Sequence, residues 1–169
     1  MTRIHRLVLA VLVLFFCTGF DQITKDIAQE KLASSPPISL LNDTIRIQYS
    51  ENSGAILGLG SNLPSKVRFA LFVVFNGLIS VITLIYALKA HALRLIQLVG
   101  LLLIASGGIG NLIDRLFNNG FAIDFMNLGI GSVRTGIFNV ADVLVITGAA
   151  IFMLYSLKDQ TKSTTTQTL

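Results

Sequence analysis

The sequence predicts an all-α membrane protein, four transmembrane helices with a small extracytoplasmic β-containing insertion at about residues 38–60. Three observations carry that expectation. Of 169 residues, 53% are hydrophobic and only 13% are charged, whereas soluble domains run near about 25% charged. So few charges could not cover a soluble surface, and so much apolar material excludes a disordered chain. Four stretches are long enough to cross about 30 Å of hydrocarbon at about 1.5 Å per residue. Between the first two lies Thr44-Ile45-Arg46-Ile47-Gln48-Tyr49, whose β-branched alternation reads as a strand.

The first span covers residues 7–28, running through Phe15, Phe16 and Phe20 and on past Asp21 to Ala28, since nothing there breaks a helix. The second runs from Val67 to Leu88, the third from Leu93 to Ile113, and the fourth, the shortest, from Val140 to Leu157. No proline falls inside any of them. Together they are expected to form a single integral membrane domain over residues 1–169, acting as a monomer. Arg3 and Arg6 ahead of an apolar core also suit a secretory signal. Retention is expected instead, because Phe15-Phe16 precede Cys17 and Gly19-Phe20-Asp21 offers no small-x-small cleavage site. The same bulky pair argues against a lipid-modified N-terminus at Cys17, and a lone cysteine cannot form an internal disulfide.

An even number of spans puts both termini on one side. Segments 1–6, 89–94 and 158–169 hold Arg3, Arg6, Lys89, Arg94, Lys158 and Lys162, while the much longer stretches 21–66 and 114–139 hold only as many basic residues between them. By the positive-inside rule the termini and the turn near His91 are cytoplasmic and the two large loops face outward. The net charge of +4 therefore reflects topology. No basic stripe alternates with aromatics as a nucleic-acid face requires, so nucleic acid is not an expected partner. In the first outer loop Ser34-Ser35-Pro36-Pro37 ends a helix, and Leu59-Gly60-Ser61-Asn62-Leu63-Pro64 is turn chemistry before the second span.

An ionisable group at membrane depth costs about 2.5–3.5 kcal/mol and is usually paired, cavity-facing and functional. The informative residues are Asp21 and Lys25, Asn52, Asn111 with Asp114 and Arg115, Asp124, and Asn139 with Asp142, all at or just beyond one end of the spans. Each has a structural alternative. Asp21 and Lys25 stand i to i+4 and could be a helix-surface ion pair. Asn111, Asp114 and Arg115 share a helix face and could serve helix termination and bundle contacts. Gly107, Gly108 and Gly110 either let a neighbouring helix approach or open room for a ligand, packing being the commoner use. Asn52-Ser53-Gly54-Ala55 could be an ordinary turn. Asn139 with Asp142 resembles a capping box, and Asp124 sits in the apolar pentad Ala122–Met126 that could be an amphipathic surface segment.

The catalytic possibilities narrow quickly. His5 and His91 both fall on the cytoplasmic side, Cys17 is within a span, and no HExxH, Cys/His metal cluster, Walker loop or GxGxxG occurs. Carboxylates remain. Two aspartates brought close cannot both ionise easily, so they share a proton, one acting as general base on water and the other as general acid, without metal or cofactor.

Asp21-Gln22-Ile23-Thr24-Lys25, Asn52-Ser53-Gly54-Ala55, the run Gly107–Arg115, Ile123-Asp124-Phe125 and Phe138-Asn139-Val140-Ala141-Asp142 resemble, in order, the motifs of the lipoprotein signal peptidase (signal peptidase II) family. The resemblance implies an aspartic endopeptidase of the bacterial inner membrane that removes signal peptides from diacylglyceryl-modified prolipoproteins just before the lipidated Cys. It implies a catalytic pair at Asp124 and Asp142, supporting places for Asn111, Arg115 and Asn139, a place for Asn52 and Gly54 in the outer cradle, and a place near substrate for Asp21 and Lys25. It further implies membrane lipids as partners, no cofactor, no metal, and sensitivity to globomycin. The chain departs from the family where Ile56-Leu57-Gly58 follows the second motif in place of a small residue and an aromatic.

Two rival readings use the same residues. A proton- or ion-coupled transporter would form a relay from the acids and a gate from Asp21-Lys25, and would place carboxylates near the midplane. A membrane scaffold would use the acids as caps, leaving Asp124 and Asp142 far apart.

Overall fold

The computed structural model describes residues 1–54 and 59–167, with side chains described through Lys158. Ala55, Ile56, Leu57 and Gly58, which include the end of the second motif and part of the expected 38–60 insertion, lie outside the described residues.

Four helical segments are long and apolar enough to cross a membrane: Arg3–Leu32, Ser65–Lys89, Leu95–Phe117 and Val140–Lys158. The first, α1 (Arg3–Leu32), starts where the Thr2 side chain accepts from the His5 amide. It ends just before the Ser-Ser-Pro-Pro run, as expected of residues that restrict or lack the helical amide. The second opens behind Pro64 as α2 (Ser65–Phe69), passes through a π-helical turn at Ala70–Phe75 and continues as α3 (Asn76–Lys89). The third and fourth are α4 (Leu95–Phe117) and α5 (Val140–Gln167). In α4, 56% of the apolar window is buried against 11–17% in the others, so α4 is the central helix of the bundle.

Small residues explain that position. A Cβ on Gly107 would collide with the Ala141 carbonyl oxygen of α5, one on Gly108 with the Ser80 hydroxyl of α3, and one on Gly110 with the Asp21 carboxylate of α1. Packing was the commoner use of such a run, and all three neighbours approach through it. Toward the end holding the chain termini, Ala10, Ala87, Leu98, Leu101 and Leu102 form the apolar core. There the buried Arg6 guanidinium donates to the carbonyls of Ala87 (3.3 Å) and Ala90 (2.6 Å), satisfying the open end of α3. Phe15 and Phe16, 71% and 64% exposed, point away from the bundle as lipid-facing side chains do.

At the opposite end lies a four-stranded antiparallel sheet in the order β1 (Ile38–Leu40), β2 (Ile45–Asn52), β3 (Ala122–Ile130) and β4 (Val133–Arg134). The strand expected at 44–49 is β2. Two of the four strands, however, come from the second large loop, where only an amphipathic surface segment around Asp124 was expected. The cause is burial. Residues 122–125 are buried on both faces, so β3 reads as an apolar run without alternation.

Two local features shape the sheet. A bulge between Ile47 and Ser50 shifts β2 so that Ser50 stands opposite Asp124 and Asn52 opposite Ala122. The β1–β2 turn places Leu41, Asn42 and Asp43 at positive φ. Its Asp43 carboxylate accepts from Ser39 (2.8 Å) and the Arg46 Nε (2.7 Å), and its carbonyl oxygen accepts from Arg134 (2.6 Å), which ties the hairpin to β4. The Arg46 hydrogen bonds hold the Asp43 carboxyl well below its ordinary range. The sheet rests on the end of α1 through Ala28, Leu32 and Phe125.

Candidate active site

Asp142 lies in the first turn of α5, and Asn139 precedes that helix. The Asn139 side-chain oxygen accepts from the Asp142 amide at 3.0 Å while an Asp142 carboxylate oxygen accepts from the Asn139 amide at 3.3 Å, the reciprocal pair expected of a capping box. Capping uses only half of the Asn139 amide group. Its Nδ2 donates to Asp124 Oδ1 at 2.7 Å and Asn111 Oδ1 at 2.9 Å, and Asn139 is fully buried.

Asp124 is presented by β3. Because of the β2 bulge, Asn52 is its diagonal neighbour on the same sheet face and donates to Asp124 Oδ2 at 2.8 Å. The Asn52 side-chain oxygen accepts from the Gly54 amide at 2.8 Å, shaping the turn. Asn111 of α4 donates to Asp142 Oδ1 at 3.0 Å. All four carboxylate oxygens of Asp124 and Asp142 thus accept from neutral amide groups. Such donors fix carboxylates without cancelling their charge, unlike a direct arginine or lysine contact. Asp124 is 2% exposed, and its carboxyl is pushed up to about 6, mainly by burial. The negative charge of Asp142 adds to the rise, while the Asn52 and Asn139 hydrogen bonds oppose it.

Beneath this pair is a buried ion cluster. Lys25 Nζ lies 2.8 Å from Asp21 Oδ2, 2.7 Å from Asp114 Oδ2 and 3.0 Å from Asn111 Oδ1. Asp21 Oδ1 accepts from the Ala141 amide at 2.7 Å, and Asp114 Oδ2 from the Ile123 amide at 3.0 Å. Asp21 and Lys25 do form the i, i+4 pair, but at 0% and 1% exposure they are no surface pair. They sit behind the carboxylates, in contact with residues that carry them. Asp114, expected to serve helix termination and bundle contacts, makes such contacts, joining α1 and β3 to α4. Its i+3 spacing from Asn111 was the signal available in the sequence.

Asp124 and Asp142 line one cavity of about 180 Å³ together with Asn52, Asn111 and Arg115. Arg115 donates to the Gly54 carbonyl at 2.6 Å and to its own helix at Asn111. Its guanidinium lies 5.7 Å from the centre of the Phe72 ring, so it links residue 54 and the second span to α4. Phe72 and Asn76 also line the cavity and had escaped the sequence reading. The π turn at 70–75 lies immediately before Asn76, and Asn76 Nδ2 donates to the Gly108 carbonyl at 3.1 Å. An asparagine inside an apolar span was the missed clue. Among the described residues no group of three or more His, Cys, Asp or Glu side chains is placed to hold a metal ion.

Four helices able to cross a membrane, capped at one end by a sheet, with a cavity between the second, third and fourth that both aspartates line, define a multi-pass membrane protein with a candidate site at its sheet-bearing end. The family model described as signal peptidase (SPase) II matches residues 13–158. The lipoprotein signal peptidase of Borrelia hermsii (strain HS1 / DAH) is 33% identical over 165 residues, covering 95% of this chain and 96% of that protein. That of Clostridioides difficile (strain 630) is 32% identical over 155 residues, covering 92% and 99%. A bacterial membrane enzyme solved by the in meso method at 2.3 Å superposes with a TM-score of 0.78 at 27% identity, over 90% of each chain. The chain belongs to the signal peptidase II family. It is a multi-pass membrane protease of lipoprotein processing.

Proposed function

We propose that the protein is an aspartic endopeptidase that cuts signal peptides from diacylglyceryl-modified prolipoproteins just before the lipidated Cys, with Asp124 and Asp142 sharing one proton. The observation that carries this reading is the pair of carboxylates lining one cavity, every oxygen held by a neutral amide. Two acids so placed favour one shared proton over two full charges. The ionised member takes a proton from water as its oxygen attacks the peptide carbonyl carbon. The protonated member donates to the leaving nitrogen as the C–N bond breaks, and the water's oxygen ends in the new carboxylate.

Asn52, Asn111 and Asn139 orient the carboxylates. Arg115, bonded to the Gly54 carbonyl, holds that part of the second motif against α4 beside the cavity. The sequence resemblance put Asp21 and Lys25 near substrate, and their burial supports a different role: they act through Asn111 and the Ala141 amide as positioning residues. The site occupies the sheet-bearing end of the bundle, which the positive-inside rule assigns to the extracytoplasmic face of the inner membrane. There a substrate anchored by its signal helix and acyl chains has its scissile bond near water. The enzyme works as a monomeric, single integral domain, needs no metal or cofactor, and is blocked by globomycin. Carboxylates gathered at one end argue against the ion-relay alternative, which needs them along a path through the bilayer.

The test is cleavage of a diacylglyceryl-prolipoprotein by purified protein, with the product's N-terminus read by mass spectrometry. The expected product begins at the lipid-bearing Cys, and Asp124→Asn and Asp142→Asn, each still accumulating in membranes, yield none. Cleavage by both variants would remove the dyad.

A further inference from the structure

A second cavity, about 520 Å³, opens between the start of α2 and the end of α4, and it plays no part in the chemistry above. We propose that it binds an anionic phospholipid, with the phosphodiester held by Lys66, Arg68 and Arg115 and an acyl chain lying along Phe69, Val73 and Leu116. These residues line the cavity, and no Asp or Glu is among them.

The cationic half has donors to spare. Among the described residues Arg68 makes only a long 3.5 Å bond to the Ser61 carbonyl, and it faces the Phe121 ring at 5.9 Å. Lys66 is exposed and pairs with no acid among the described residues. Arg115 is 7% exposed, and its buried Nε has no hydrogen-bond acceptor among the described residues. A phosphodiester supplies charged acceptor oxygens that match guanidinium and ammonium donors. The apolar half decides between a lipid and a free anion. Phe69 and Leu116 are each 56% exposed on helices that run into the bilayer, a surface that inorganic phosphate would leave uncovered and an acyl chain would fill. A zwitterionic lipid brings a compensating ammonium that three cations disfavour. Arg115 lines the catalytic cavity as well, so the lipid head would sit directly behind that wall.

The absence of tryptophan from the chain makes the test direct. Phe69→Trp introduces a single reporter whose fluorescence is quenched by brominated acyl chains in nanodiscs of phosphatidylcholine and phosphatidylglycerol. At about fivefold per cation, brominated phosphatidylglycerol should quench at least about tenfold more effectively than brominated phosphatidylcholine. Excess inorganic phosphate should leave this preference intact, and Lys66→Gln with Arg68→Gln should cut it to about the fivefold that Arg115 alone supports. Should that double variant fail to fold, Lys66→Gln alone, at an exposed position, should still lower the preference by about fivefold. Equal quenching by the two lipids, an unchanged preference in the charge variants, or displacement by inorganic phosphate would each overturn the proposal. The readout is independent of peptide cleavage, so it stands or falls apart from the aspartic mechanism.

Discussion

Replacing Lys25 with Met tests the buried ion cluster that underlies the proposed active site. The substitution keeps most of the side chain's volume and removes one ammonium that contacts Asp21 at 2.8 Å, Asp114 at 2.7 Å and Asn111 at 3.0 Å. Asp21 and Asp114, 0% and 3% exposed, would be left as two buried carboxylates with no cation between them. Removing one partner of a buried pair costs about 3–5 kcal/mol. At about 2–4 °C per kcal/mol for a chain of this size, the melting temperature should fall by roughly 6–20 °C. Thermal unfolding of purified protein in detergent, followed by far-UV circular dichroism, measures this. The cost should be non-additive: Lys25→Met combined with Asp21→Asn and Asp114→Asn removes every charge and should recover part of the loss. A melting temperature for Lys25→Met within about 2 °C of wild type would refute the reasoning, as would a triple variant less stable than the single one.

Other consequences are equally open to measurement. Asp124 should titrate near pH 6 in a carboxyl-carbon NMR experiment, and Asp142→Asn should lower its midpoint, because the Asp142 charge helps to raise it. The sign for stability follows from that rise above the ordinary 3.8: the folded protein keeps a proton that the unfolded chain releases. Below about pH 4 Asp124 is protonated in both states and imposes no cost, and stability falls by on the order of 3 kcal/mol as pH rises from about 4 to about 6, levelling off above that. Asp124→Asn should remove this loss in pH-dependent unfolding. Gly107→Val should push α4 off the Ala141 carbonyl and destabilise the bundle by at least about 2 kcal/mol, read as reduced thermal stability in detergent.

The helices were legible because long apolar runs stand out in a chain with so few charges, and the few ionisable residues at their ends marked candidates, whereas the pairing of Asp124 with Asp142 rested on the family resemblance. The strand at Ile45 showed itself by alternation. Strand β3 did not, because Ala122, Ile123, Asp124 and Phe125 are all buried and leave no polar face. Asn139 could be read as a cap, and it is one, but its Nδ2 contact to Asp124 depends on a strand fifteen residues earlier in the chain. The i, i+4 spacing of Asp21 and Lys25 was visible, whereas their burial depends on Asp114 arriving from α4 and on Gly110 leaving room for the Asp21 carboxylate. Phe72 and Asn76 were hidden by a feature with no simple periodic signature, the π turn inside the second span.

Single-turnover cleavage of a purified diacylglyceryl-prolipoprotein by wild type, Asp124→Asn, Asp142→Asn and the double variant addresses the shared-proton dyad most directly. Each single substitution should slow hydrolysis by at least about 1,000-fold, with the double variant no slower than the singles because the two carboxyls act as one unit. Either single variant within about tenfold of wild type, or losses that multiply in the double, would contradict it.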